Sequence, residues 1–185
     1  MFGKGSPWGH LNTMQDLNWY VIRTRSNFER PVTEALQFKG FTTFLPLYRV
    51  RQRWSDRVKE MDLPLFSGYT FCKFDPQHRL PMLMTPGVVS IVGSGEKPLP
   101  VEESEIAAVR AMLQSGLALG PWPFLSEGQS VLVKHGPLEG VEGLIVSIKN
   151  KYRLIVSISI LQRSVSVEID RDCVAPAARS ARRAA

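Results

Sequence analysis

Cysteine is scarce: only Cys72 and Cys173 occur in 185 residues, about a hundred positions apart. That excludes a disulfide-stapled framework, and with no CxxC or Cys/His spacing it excludes the usual zinc sites. Both cysteines adjoin β-rich apolar residues, which makes them buried, inert thiols and fits a cytoplasmic protein. Long apolar runs are missing too. Nothing approaches the roughly 18 consecutive apolar residues of a membrane span, and "MFGKGSPWGHLNTMQDL" has no continuous apolar segment of the secretory kind. GxGxxG, P-loop, HExxH and GxSxG patterns are absent. His10 and His135 have no carboxylate or cysteine partners that suggest a catalytic or metal set. No enzyme, cofactor, metal or membrane partner is expected, and the chain should be a monomer.

What is present is positive charge, unevenly spread. The formal net charge is +6 and the sequence pI about 9.6, a balance compatible with a nucleic-acid neighbour. "YRVRQRWSDRVK" carries Arg49, Arg51, Arg53, Arg57 and Lys59 against Asp56 alone, and "ARSARRAA" adds Arg179, Arg182 and Arg183. At 44% hydrophobic and 22% charged residues the chain is otherwise an ordinary globular protein.

Residues 1–16 form a leader, and a first folded unit spans 17–114. "NWYVIRTR" is rich in β-branched and aromatic residues and starts it as a strand. "SNFERPVTEALQFKG" follows as a helix: Ser26 and Glu29 have capping-box spacing, Phe28, Val32, Ala35 and Leu36 share a face, and Gly40 ends it. "FTTFLPLY" is a strand, "YRVRQRWSDRVKEMDL" a hairpin projecting from the sheet, and "SGYTFCKF" a further strand. Asp75 and Pro76 open a short helix, "GVVSIVG" is a strand, and "EESEIAAVRAMLQSG" is a helix with acidic residues at its positive end. The order β-α-β-β-β-α-β-α indicates an α+β sandwich on a mainly antiparallel sheet. Residues 115–125, "SGLALGPWPF" and the next position, break the periodicity and are expected to be a linker. Over 126–176 a two-residue alternation recurs strand after strand, in Val131 and Val133, Leu144 to Ile148, Leu154 to Ile160, and Val165 to Ile169. So small a sheet must close on itself to bury one face, so a five-stranded SH3-like barrel is expected. Residues 177–185 are a basic tail.

"GQSVLVKHGPLEGVEGLIVSI" resembles a KOW motif, with Gly136, Pro137, Leu138 and Gly143 in the expected places. Upstream, "NWYVIRTRSNFE", "FLPL", "LPLFSGYTFCKF" and "TPGVVSIVG" follow in the order of the NGN domain of NusG-type elongation factors. The likeness runs over about residues 17–176. Ser67 departs from it, since the family has proline in its Phe-Pro-Gly-Tyr segment. "LPLYRVRQRWSDRVKEMDLPLF" is more similar to the specialised RfaH- and UpxY-type antiterminators than to the housekeeping factor.

This resemblance implies an NGN domain that docks on the clamp helices of RNA polymerase, with Phe66 and Tyr69 as aromatic contacts; Trp19, Tyr20 and Phe71 read as core, with an edge of the pocket as the alternative for Tyr20. Against that stands the reading of Phe66 and Tyr69 as core residues; their spacing of three puts them on opposite faces of an ideal strand unless Gly68 marks a bulge. Arg49, Arg51, Arg53 and Arg57 would face upstream or non-template DNA, with Trp54 stacking on an unpaired base; the alternative is a solvated charged hairpin. His78 and Arg79 would reach the opposite jaw of the cleft, or are ordinary surface residues. Leu138 would meet a small-subunit ribosomal protein or the Rho terminator at a loop tip, or else caps the barrel. The expected function is operon-specific elongation and antitermination. The alternatives are a housekeeping factor coupling transcription to Rho and translation, and a KOW-type RNA-binding ribosomal or ribosome-assembly protein. The Val-, Ile- and Ser-rich strand runs favour a β-barrel over a helical hairpin.

Overall fold

The computed structural model describes residues 17–53, 58–95, 97–123, 128–148 and 151–177. The first unit opens with β1 (Asn18–Thr24) and α1 (Glu29–Phe38), followed by β2 (Thr42–Phe44), the hairpin strands β3 (Leu47–Arg53) and β4 (Val58–Pro64), and β5 (Tyr69–Phe74). A 3-10 turn at Pro76–His78 leads into α2 (Leu80–Leu83) and β6 (Val88–Ile91). Three two-residue strands follow, β7 (Gly93–Ser94), β8 (Lys97–Pro98) and β9 (Pro100–Val101), before α3 (Glu103–Gln114). The main sheet has the order β2-β5-β1-β6, with β9 also pairing β1, and every pairing is antiparallel. The hairpin is a separate two-stranded sheet, as the alternation around its polar tip implies.

β1 is the central strand because it can be buried on both faces. Trp19 and Val21 belong to the cluster that includes Ile106, Val109 and Met112 of α3, while Tyr20 and Ile22 belong to the one with Val32 and Leu36 of α1. Burial raises the Tyr20 hydroxyl's pKa, as does nearby Asp75, against a lowering hydrogen bond with Asn18. It also pushes the Cys72 thiol up to about 12, so that thiol is inert as expected.

The capping box is not formed. Phe28 occupies the N-cap of α1 with no side-chain hydrogen bond. Asn27 turns through positive φ (64°), and the Glu29 carboxylate points instead to the turn before β5.

The second unit is an all-antiparallel sheet, β10 (Leu119–Pro123), β11 (Gln129–Val133), β12 (Glu142–Ile148), β13 (Lys151–Ile158), β14 (Arg163–Ile169) and β15 (Val174–Pro176), ordered β10-β14-β13-β12-β11-β15. Val131, Val133, Leu154, Val156, Ile158, Val165 and Val167 fill its interior, the residues whose alternation marked the strands. Two expectations change. The sheet has six strands, not five, and the extra one, β10, lies within the segment expected to be a linker. Gly and Pro there interrupt the sequence pattern without preventing Leu119–Pro123 from pairing with β14.

Gly143 is where the barrel is tightest. A Cβ on it would lie 2.6 Å from the Ile155 carbonyl oxygen and 3.0 Å from Leu154 Cδ1. Gly143→Ala should therefore cost about 1–3 kcal/mol in urea denaturation. Gly120→Ala, with nothing within 4 Å, should stay within about 0.5 kcal/mol of the parent.

Candidate docking site

The turn Phe66-Ser67-Gly68-Tyr69 is fixed from three directions. Its own bond runs from the Tyr69 N–H to the Phe66 carbonyl at 3.1 Å. Gly68 adopts φ +83°, the sign that the third position of a type II turn requires and that glycine takes without a Cβ penalty. The position before it suits proline but tolerates serine, so Ser67 fits the same turn. Gly68 is then held at both ends: its N–H donates to Glu29 Oε1 at 2.7 Å, and its carbonyl accepts from the Thr24 N–H at 2.8 Å. Glu29 is a buried carboxylate, 3% exposed. A capping role was expected of it; its part in this turn has no sequence signal, since 39 residues separate the partners.

The aromatic pair divides as core and rim. Phe66 is buried, 1% exposed, with its ring edge-on to Phe71 at 5.8 Å. Tyr20 is buried against Phe74 at 4.6 Å. The exposed contact expected of Phe66 is corrected: its ring lies in the core, in the cluster that Tyr69 packs against. Tyr20 is core, on the face of β1 turned toward α1, and does not edge the Tyr69 surface. Tyr69 is half-buried, and the Arg163 guanidinium of β14 lies 5.2 Å over its ring.

That last contact comes from the second unit, which sits against the first. A second one joins them: Glu105 Oε1 of α3 accepts the Ser159 hydroxyl at 2.7 Å and the Ser159 N–H at 3.3 Å. One continuous apolar cluster runs from Trp19 and Phe66 through Val109 to Val156 and Val165. α3 is in turn fixed to the main sheet. Glu103 Oε2 accepts from Trp19 Nε1 at 3.0 Å and Lys73 Nζ at 3.2 Å, while Arg110 lies about 5 Å from both the Trp19 and Phe44 rings. Partial burial pushes the Glu103 carboxyl pKa up, but the Lys73 and Trp19 bonds outweigh it and hold it low.

The arginine row is not a bare cationic strip. Arg49 pairs with Asp62 at 3.5 Å, and Arg51 with Glu60 at 2.7 Å, directly across the hairpin. The register places carboxylates opposite two of the arginines, so charge on that face is largely balanced. Arg53 ends β3; Trp54 and Arg57 lie outside the described residues. Opposite this face, Tyr48 and Val50 pair with Leu63 and Met61.

Asp75 caps the 3-10 turn, accepting from the Gln77 N–H at 2.9 Å, with His78 Nδ1 also at 2.9 Å. Arg79 lines a shallow cavity with Leu83, Ser90 and Ile91. Leu80 and Met84 of the same segment are exposed. Leu138 is buried, 1% exposed; it caps the barrel, and an exposed loop-tip contact through it is corrected. Among the described residues no group of His, Cys, Asp and Glu could hold a metal, and no helix is long and apolar enough to cross a membrane.

A family model described as "Transcription termination factor nusG" matches residues 17–110. The transcription termination/antitermination protein NusG of Borreliella burgdorferi is 26% identical over 178 residues, covering 82% of this chain and 94% of that protein. Its Thermus thermophilus counterpart is 27% identical over 175 residues, covering 83% and 95%. A solved structure described as "Domain interaction in Thermotoga maritima NusG" superposes with a TM-score of 0.53 at 22% identity, covering 85% of this chain and 96% of that one, and supports the fold.

Two outcomes test this geometry. Glu29→Ala leaves the Gly68 N–H without its acceptor and should cost about 1–3 kcal/mol by urea denaturation, with Glu29→Gln recovering part of it. The Asp75 carboxyl pKa is held low by the Gln77 N–H and then by His78. Its folded pKa lies below the unfolded one, so its stabilising contribution is present above the ordinary carboxylate range and is lost as pH falls through the folded value. The Gln77 amide resonance should move at that lower pH, and Asp75→Asn should abolish the step.

Proposed function

Because the chain belongs to the NusG family of non-enzymatic transcription factors, we propose that it is a cytoplasmic elongation and antitermination factor whose first domain docks on the clamp helices of RNA polymerase through Tyr69. The observation that carries this is the turn at Gly68. A buried carboxylate and two backbone bonds fix an aromatic ring at the surface, and rigid aromatics give large contact area with few rotors to freeze. Phe66 belongs to the apolar cluster that Tyr69 packs against and backs the ring from beneath. The barrel supplies a second contact whose effective concentration is raised by tethering; a small-subunit ribosomal protein or Rho is the partner proposed for it.

DNA contact is assigned to the far end of the hairpin. Arg49 and Arg51 are paired with carboxylates; Arg53, together with Trp54 and Arg57 outside the described residues, is proposed to approach upstream or non-template DNA. His78 and Arg79 stand beside exposed Leu80 on one short segment, a surface suited to the opposite jaw. The likeness of the hairpin sequence to the specialised antiterminators favours an operon-specific paralog. The general factor is the second reading, favoured by relatives that carry the NusG name over nearly their whole length. Capture of Rho by the purified chain separates the two.

Arg163 covers Tyr69 in this structure, so the docking residue and its cover should respond in opposite directions. Tyr69→Ala should weaken binding to an assembled polymerase–DNA–RNA complex by about 30-fold, the scale of an aromatic hot spot. Arg163→Ala removes an exposed cation–π contact of about 0.5–1 kcal/mol and should tighten binding roughly two- to fivefold. Equal affinities for the parent and Tyr69→Ala would end the docking reading.

A further inference from the structure

The segment expected to be a linker is part of the barrel, and this changes how far the barrel can travel. α3 ends at Gln114 and β10 begins at Leu119, so only the four residues 115–118 join the two units while β10 is paired. With β10 off the sheet, the joining segment would run to residue 128, immediately before Gln129, fourteen residues in all.

β10 is built to pair with few bonds. Pro121 and Pro123 lie opposite Val165 and Arg163, and neither has an N–H to give. In an antiparallel ladder alternate residues exchange both bonds with the partner. That leaves Gly120 and Trp122, opposite Ser166 and Ser164, as the residues that hold β10 to β14. The prolines then occupy the outward positions, where a missing donor protects an edge. Trp122 is the strand's anchor. The Arg153 guanidinium lies 5.5 Å over its ring and donates from Nη1 to Ser166 Oγ at 3.4 Å. Ser164 and Ser166 are buried although they alternate with the core valines of β14. Finally, Pro123 pairs with Arg163, the residue stacked on Tyr69.

We infer that β10 is a detachable clasp: paired with β14 it shortens the tether and backs Arg163 over Tyr69, and its release lets the barrel leave that face. The regulatory meaning rests on the docking reading of Tyr69; the clasp itself does not. Effective concentration falls as about the −3/2 power of tether length, so going from four residues to fourteen lowers it about sixfold.

The test uses the full chain with Glu105→Cys and Ser159→Cys, in a Cys173→Ser background, treated with a short bis-maleimide. Cys72 is buried, with its pKa raised to about 12, and stays silent. Two variants release the tether differently: Gly120→Pro removes a donor from β10, and ten Gly/Ser residues inserted after Gly116 lengthen the tether with β10 intact. Each should lower the ratio of intramolecular cross-link to single modification about sixfold or more, with amide dispersion of the barrel retained. An unchanged ratio in both overturns the clasp. So does a loss in the insertion alone when the Trp122 amide shows that Gly120→Pro has freed β10. Should Gly120→Pro unfold the barrel, Trp122→Ala takes its place under the same criteria. Gly120→Pro without the added cysteines should also bind the polymerase complex more tightly. A lowered cross-link ratio with unchanged polymerase affinity keeps the clasp and removes the docking reading.

Discussion

Everything in the arrangement of the two units depends on how α3 is fixed. Its first turn is tied to the main sheet by the Trp19 indole N–H and Lys73 on the Glu103 carboxylate, and two turns later Arg110 lies against Trp19 and Phe44. Glu103 and Glu105 are both near the positive end of the helix, where carboxylates are favoured. One acidic residue faces the sheet and the other accepts Ser159 of the barrel. A helix held this way gives the barrel a defined resting place, and from there Arg163 reaches Tyr69. Were α3 free to rock, the 2.7 Å bond from Ser159 could form without placing Arg163 over any particular ring.

The hairpin shows how register decides what a charge run means. Counted along the sequence, the arginines of β3 suggest a strip spaced to follow phosphates. Folded, each of Arg49 and Arg51 faces a carboxylate of β4. Exposed pairs of this kind contribute roughly 0–1 kcal/mol each, too little to be the reason for the hairpin's stability. Their larger effect is on the field, because paired charges attract a polyanion much less than bare ones. The ribbon is better described as amphipathic, ion pairs on one face and Tyr48, Val50, Met61 and Leu63 half-buried on the other.

The parts of the fold that sequence reveals are those governed by local periodicity. Val32 and Leu36 on α1, the alternating valines and isoleucines of the barrel, and the paired strands of the hairpin each announce themselves within a few residues. The Asp75 cap is equally local. What stayed hidden involves partners far apart in the chain: Glu29 with Gly68, Glu105 with Ser159, Arg163 with Tyr69. Glu29 shows the conflict directly, since its spacing from Ser26 suits a capping box while a turn 39 residues away takes the carboxylate instead. β10 was missed for the opposite reason. Gly and Pro signal a break in regular structure, yet an edge strand needs donors only at alternate positions, and here the prolines fall on the others. The resemblance named the Tyr69 turn, but which aromatic is rim and which is floor needed the backbone.

The closed arrangement rests on contacts of unequal strength. Between the units stand one cation–π contact, one carboxylate accepting two bonds from an exposed serine, and the apolar surface around α3. Exposed polar contacts of these kinds are worth about 0.5–1 kcal/mol each, so they set which residues meet, while the buried apolar surface around α3 supplies most of the hold. A partner docking on Tyr69, as proposed, has to displace this cover. The cost appears as weaker apparent affinity, because binding is reduced by the fraction of molecules already open. Over the rigid turn, the Arg163 cover leaves Tyr69 half-buried rather than sealed. The rigidity of the turn matters more than the strength of the cover, since a ring that moved on release would lose the preorganisation that gives an aromatic anchor its value.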